Sequence, residues 1–513
     1  MSASQKLDQA GVPSGPGSPP DSGSRVRATL TLGSVLLGYL IVPMAMSGTS
    51  VALPRIAADL GGSGGALQWV VTGYFLAASC LMLIAGSLGD LFGRRRIFAI
   101  GAVLYVASTA AAAFAPHVLV LDAARTLSGV GAAGVMAGGG AILGSSFEGP
   151  ARTRAFAMVG TTVGVGLAFG PTFAGWLVSA LGWRAMFGAF AGVGLLLVAG
   201  TLVLKESAAE HRPKFDLPGT IAFVLGIIGL MYGTNQVASA GWTSPRVLVF
   251  LGAGLLMLAV FVAVERRTEH PVLDLALLRG GPFTGWLLAA LTTAVGTVGV
   301  LVYLPTYLQG AGDFSAGDAG TLMLAMTLPV LAVPPLTGKL VNQGVSARLL
   351  ITLAIALIAG GNAWMTVLAP GSGAVQLVGP LLLIGVGNGL AAALIDAQAM
   401  EHVAPDRIGM ASGLLNTARG GANALVLAVF GAALISLMQS EVGGRERAGR
   451  VAAGDLGGES HAFLAEQYTD AWHVVMWVVA ALCALSALVI NRLVGKNART
   501  AAHPAEAAVP DKG

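Results

Sequence analysis

The chain has 513 residues, of which 55% are hydrophobic and only 11% charged. A soluble domain carries about 25% charged residues, so this composition excludes a soluble globular enzyme and indicates a polytopic membrane protein. The net charge of +4 is small and its basic residues are scattered through loops, which says little for nucleic acid, not expected as a partner, and is better explained by charge flanking spans of a lipid bilayer.

Residues 1–24 are rich in Ser, Pro and Gly and read as a disordered tail. A membrane span needs about 20 mostly apolar residues. On that rule spans are expected over 30–53, 67–88, 97–115, 118–144, 155–180, 184–204, 217–236, 246–264, 283–308, 317–341, 348–368, 374–400, 409–438 and 471–493, fourteen in all. The alternative is twelve, with 217–264 as a re-entrant or surface pair, but both segments are apolar enough to cross. An even number places both termini on one side. Most Lys and Arg, among them Arg95, Arg96, Lys205, Arg266 and Arg267, share that side, which marks it as cytoplasmic. The excess of Arg over Lys points to a GC-rich bacterial host, and so to a bacterial cytoplasmic membrane.

Between the second and third spans stands Gly86-Ser-Leu-Gly-Asp90-Leu-Phe-Gly93-Arg94-Arg95-Arg96. Glycines let two helix ends approach closely, and Asp90 can pair with arginines across the junction. The stretch resembles the helix 2–3 loop signature of the major facilitator superfamily, G-x-L-x-D-x-x-G-R-[RK]. That resemblance implies a secondary transporter, all-α and integral to the membrane, with the major facilitator fold of two six-helix bundles. Here two linker helices are added: a cytoplasmic tail over 1–24, an N-terminal bundle over 25–204, a linker pair over 205–279, a C-terminal bundle over 280–495 and a second cytoplasmic tail over 496–513. Gly338-Lys-Leu340-Val-Asn342 echoes the loop in the second half, as a degenerate internal repeat would.

The fourth span opens Leu121-Asp122-Ala-Ala-Arg125-Thr-Leu-Ser128-Gly129-Val-Gly131-Ala. Arg125 is costly in hydrocarbon, so it faces a cavity, a carboxylate or the membrane edge. The stretch is similar to the family motif L-x-x-x-R-x-x-Q-G-x-G-A, with Ser128 for Gln, in which the Arg is linked to proton coupling. Asp122 is a weaker coupling candidate. In the fifth span, Gly166 and Gly170 lie one turn apart and make a smooth packing face, while Pro171 removes one helical hydrogen bond. With Gly175 they look like the antiporter signature G-x-x-x-G-P-x-x-[GA]-G, associated in the family with export.

Further stretches resemble the fourteen-helix drug:proton antiporter branch, which implies multidrug or antibiotic efflux. They are Trp69-Val-Val-Thr-Gly-Tyr74, Gly182-Trp183-Arg184, Phe215-Asp216-Leu-Pro-Gly219, Tyr303-Leu-Pro305-Thr-Tyr307 and Arg407-Ile-Gly409-Met-Ala-Ser412-Gly413. One departure matters. The branch carries an acidic residue in helix 1, in a pattern like L-D-x-T-I-V-N-V-A-L-P, where this chain has Ala45, and Ser50 where Asn would fall. Asp396 is the strongest replacement, either as an intramembrane proton site or as a charge at the cytoplasmic edge. Asn388 lies near the same face. Asn416, Arg419 and Asn423 share a helix face and either line the cavity or hold a helix junction. Trp69, Tyr74, Trp286, Tyr303 and Tyr307 are cavity candidates for aromatic or cationic solutes, or else interfacial anchors.

Gly138-Gly139-Gly140 lacks the Lys-Ser or Lys-Thr of a phosphate loop, the His residues are dispersed, and Cys80 and Cys483 lie in apolar spans. No metal or cofactor is therefore expected, and the proton gradient is the expected energy source. The reading is a monomeric, proton-driven exporter of a small-molecule substrate, not an enzyme. An uptake permease and a membrane receptor or scaffold are its rivals.

Overall fold

A computed structural model describes residues 22–61, 64–147, 149–206, 216–268, 281–403, 408–457 and 460–495. The C-terminal tail, the greater part of the N-terminal one and parts of the linker expected from the sequence lie outside them. Among the described residues all regular structure is helical. The first helices are α1 (Ser22–Leu60), α2 (Gly64–Phe92), α3 (Arg94–Ala113) and α4 (Val118–Ser146). α5 (Gly149–Gly200) holds two of the expected spans and is broken at Gly182, where φ is +84°. A hairpin follows, α6 (Leu217–Ala240) and α7 (Pro245–Glu265). The second half comprises α8 (Gly281–Gly310), α9 (Ala316–Leu322), α10 (Leu324–Asn342), α11 (Ala347–Trp364), α12 (Ala374–Glu401), α13 (Ile408–Met438), α14 (Arg445–Ala452) and α15 (His461–Gly495).

Twelve described stretches are long and apolar enough to cross a membrane. One of them, Met158–Gly200, contains both limbs of α5, and α2 carries a shorter apolar stretch, Ala66–Met82. The expected fourteen and these twelve therefore differ at two places, the merged limbs of α5 and the shorter apolar stretch of α2.

The two halves pair their helices in the same way. α1 packs on α5, α2 on α4, and α3 on α4 and α5. In the second half α8 packs on α13 and α15, α10 on α12, and α11 on α12 and α15. Thus α8 answers to α1, α10 to α2, α11 to α3, and α13 and α15 to the two limbs of α5, as a parallel internal repeat requires. The halves meet along two equivalent seams, α2 with α13 and α5 with α10. α6 leans on both α2 and α13, so the hairpin covers one seam only. A Cβ on Gly229 of α6 would stand 2.8 Å from the Gly254 Cα of α7, so glycine sets the closeness of that hairpin.

Prolines shape the contacts between helices. A proline lacks the N–H that would bond four residues back. Pro171 in α5 leaves the Leu167 carbonyl free, and the Ser47 hydroxyl of α1 donates to it at 3.2 Å. Pro54 in α1 likewise frees Ser50 O, which accepts from Thr306 Oγ1 of α8 at 3.4 Å. Next to it, Val51 O accepts from Gln309 Nε2 at 2.9 Å. The last two bonds tie the halves together at the end of the bundle where α1 passes into α2.

Three expectations need correction. α1 starts at Ser22, so the last residues of the expected tail are helical. The stretch expected as a loop after α13 contains α14, which buries Ala448, Val451 and Ala452. α15 begins at His461 rather than near 471, because its first turns bury Leu464, Ala465 and Tyr468 while still carrying Glu466 and Asp470. Those charges lower the apolarity below that of a span without breaking the helix.

Candidate functional site

Gly166, Gly170, Pro171 and Gly175 line one strip of α5 that faces two partners. Toward α1, a Cβ on Gly166 would lie 2.5 Å from Leu40 O, and one on Gly170 would lie 2.6 Å from Met44 O and collide with Ser47. Toward α9 in the other half, a Cβ on Gly175 would collide with Ala316 O. The same contact carries hydrogen bonds. Thr172 Oγ1 donates to Gly320 O at 2.6 Å, and the Gly317 N–H donates to Ser179 Oγ at 2.9 Å. The strip therefore seats α5 on α1 within the first half through Gly166 and Gly170 and on α9 of the other half through Gly175, and its glycines are required by backbone approach rather than by conformation.

Arg125 is fully buried on α4. Its Nε donates to Val70 O of α2 at 3.3 Å and its NH1 to Ser128 Oγ at 3.3 Å. The guanidinium carbon lies 4.2 Å from the centre of the Tyr74 ring and 5.6 Å from that of Phe187. These cation–π contacts and two hydrogen bonds offset part of the cost of taking the charge out of water. Ser128, standing where the family pattern has Gln, is thus a direct partner of the arginine. Asp122 lies one turn earlier and is 7% exposed.

Asp396 of α12 pairs with Arg419 of α13 at 2.7 Å, with side chains 59% and 34% exposed. The pair ties α12 to α13, and the charge of Asp396 is matched where it stands. Asn388 and Asn423 are half-buried. The side chains of Asn416 and Asp90 lie outside the described residues. The aromatic candidates divide. Trp69 is half-buried and meets Tyr232 of α6 edge to face, 6.3 Å between centroids. Tyr74, Trp286, Tyr303 and Tyr307 are buried in helix packing and not on an open wall. The Tyr74 hydroxyl donates to Val42 O at 3.1 Å, and that of Tyr303 to Leu427 O at 3.1 Å beneath the stacked ring of Phe430. Tyr307 shares a 2.5 Å hydrogen bond with Thr469 among Tyr468 and Trp472. An aromatic stripe reads alike whether it faces a cavity or a neighbouring helix, so the sequence does not separate the two. A crevice of about 580 Å³ lies elsewhere, between the α8–α9 junction and the start of α12, and is lined by Asp313, Phe314, Asp318 and Val378.

In the α2–α3 junction Gly93 has φ +112°, a backbone that favours glycine, and caps α3. Glu206, which sequence reasoning missed, closes this junction. Its carboxylate accepts the Arg95 backbone N–H at 3.2 Å and lies 3.7 Å from Arg96 Nε, while Arg95 Nε donates to Thr201 O at 3.1 Å. A carboxylate at a helix N-terminus is favourable. Arg94 opens α3, and a Cβ on Gly86 would meet only Ala137 at 3.9 Å. Glu206→Gln is expected to lower stability by about 0.5 kcal/mol, because the partners are solvent-screened. A small drop in the thermal midpoint of the purified protein checks this, and an unchanged midpoint contradicts it.

A family model described as Major Facilitator Superfamily matches residues 35–427. Among curated proteins the chain is similar to the multidrug resistance protein Stp of Mycobacterium tuberculosis, 32% identical over 80% of this chain and 76% of that one. It is also similar to the puromycin resistance protein pur8 of Streptomyces alboniger, 33% identical over 77% and 79%. The cephamycin export protein CmcT of Amycolatopsis lactamdurans is 34% identical over 78% and 84%. Among solved structures, a bacterial homologue of the human lysosomal transporter Spinster, inward-facing and unoccupied, aligns with TM-score 0.60 at 15% identity over 93% of this chain and 98% of that one. The POT family transporter PepTSo aligns with TM-score 0.61 at 16% identity over 92% and 98%. Both likenesses concern the fold.

Proposed function

Because the chain belongs to the Major Facilitator Superfamily, we propose that it is a proton-driven exporter of small organic molecules working by alternating access. The observation that carries this reading is the similarity to resistance and export proteins across both halves of the chain. The geometry supports it. At its far end the strip reaches the other half, where Gly175 of α5 and Gly320 of α9 let the two backbones approach, so movement of one half against the other passes over a glycine contact there. The bonds from α8 to α1 and from α5 to α9 gather at the end where α1 passes into α2. With the basic residues placed inside, that end is extracellular, and the arrangement is closed outward. Two carboxylates within the spans, Asp122 and Asp396, have an arginine near by and are candidates to carry the proton. The protein acts as a monomer in a bacterial cytoplasmic membrane, with both termini in the cytoplasm and no cofactor.

The test is accumulation of puromycin and other toxic compounds in a sensitive host with and without the protein. Expressing cells are expected to hold severalfold less of at least one compound, and a protonophore should abolish the difference. Efflux that persists with the protonophore while ATP is supplied would overturn proton drive.

A further inference from the structure

Resting on the proton-driven reading above, we infer that Asp122 is the carboxyl that binds the transported proton, and that Oδ1 receives it. Asp122 is 7% exposed, and its Oδ1 is buried with no hydrogen-bond partner. Arg125, one turn on and fully buried, has one terminal nitrogen, Nη2, that also lacks a partner. Residues three apart on a helix are neighbours. Yet the guanidinium is turned to Val70 O, Ser128 Oγ and the Tyr74 ring instead of the carboxyl. A charged carboxylate oxygen buried without a donor is unfavourable, and a turn of the side chains toward the vacant Nη2 would relieve it. The unpaired arrangement suits a neutral carboxyl, which needs no ion pair.

The surroundings point the same way. Among the described residues α2 brings Tyr74 to Arg125 and α3 brings Tyr105, while Arg184 of the second limb of α5 reaches Ala115 O ahead of α4 and is already bound to Asp59. α1 offers Tyr39, bonded to Met136 O further along α4, and His117 is the residue preceding α4. None of these is a second free carboxylate or a free cation for Asp122. Asp396 differs: its ionised form is already paired with Arg419.

Proton uptake forms an O–H bond on Oδ1 and breaks one in hydronium, leaving water; release reverses both. In the charged form the carboxylate draws the Arg125 guanidinium toward itself and away from Val70 O. The switch therefore acts on the contact between α4 and α2, and α2 forms one of the seams between the halves. That gives the proton a two-state element through which to favour one facing state.

The test is infrared difference spectroscopy of the full-length protein in lipid vesicles, titrated with acid and base alone. The wild type is expected to show a protonated carboxylic C=O band at neutral pH. Asp122→Asn should lose the band, Asp122→Glu should shift it, and Asp396→Asn should keep it. A band unchanged in Asp122→Asn overturns the assignment. If that variant is not monodisperse, Asp122→Glu decides: an unmoved band overturns the assignment as well. Loss of the band in Asp122→Asn together with protonophore-insensitive efflux by the wild type would leave the proton site standing and reject proton drive.

Discussion

Gly170→Val is expected to bring efflux down to that of cells lacking the protein, while the variant still inserts into the membrane. A Cβ at this position would stand 2.6 Å from Met44 O and collide with the Ser47 side chain. Ser47 can turn away, but a backbone carbonyl cannot, so α1 must move off α5. Overpacking of this kind costs about 1–3 kcal/mol. The cost is borne by the helix pair next to the junction with α9, so it falls on the balance between facing states as well as on stability. Every 1.4 kcal/mol is about a factor of ten in that balance. Gly86→Ala is the contrast, because a Cβ there meets only Ala137 at 3.9 Å. Accumulation of a toxic compound that the wild type exports, at equal membrane content, checks both variants. Full efflux by Gly170→Val would mean that the glycine is incidental.

The difference between these two glycines explains what the sequence could disclose. The strip in α5 is legible because backbone approach excludes every side chain, so the constraint is written as Gly-Pro spacing within a few residues. The break at Gly182 is legible for a different local reason, a φ of +84° that favours glycine. The role of Glu206 is not, because its partners at Arg95 and Arg96 lie in another helix and nothing in its own neighbours specifies the contact. The aromatics show the same limit. Tyr303 and Tyr307 stand at helical spacing, but their burial against Phe430 and Trp472 is decided by α13 and α15. Helix α14 escaped notice because three small or β-branched apolar side chains are enough to seat it on a protein surface.

The charges within the spans follow a physical division that charge counting could not make. Asp396 and Arg419 are partly exposed and meet each other, so each meets its opposite in a screened setting. A pair like this contributes about 0–1 kcal/mol. Asp122 and Arg125 are buried and do not meet, which makes both sensitive to any change of charge. The missing acidic residue in helix 1 fits this division. Ala45 is fully buried in the packing of α1, where a carboxylate would have no water.

Arg125→Lys is therefore expected to abolish efflux, although it keeps the formal charge. The guanidinium holds Val70 O through Nε and Ser128 Oγ through NH1 from one plane, while its face lies on the Tyr74 ring. An ammonium is a single point with no such fork, and it loses at least one of these contacts. A lost hydrogen bond to a charged group costs about 1.5–3 kcal/mol, and a buried lysine readily gives up its proton. The α2–α4 contact then loses the link that Asp122 is inferred to switch. Arg125→Gln removes the charge altogether and should fail in the same assay. Its infrared spectrum separates transport from folding: the carboxylic band assigned to Asp122 should remain, since a neutral carboxyl needs no ion pair with position 125. Efflux at the wild-type level by Arg125→Lys would show that the fork is dispensable and that charge alone suffices at this position.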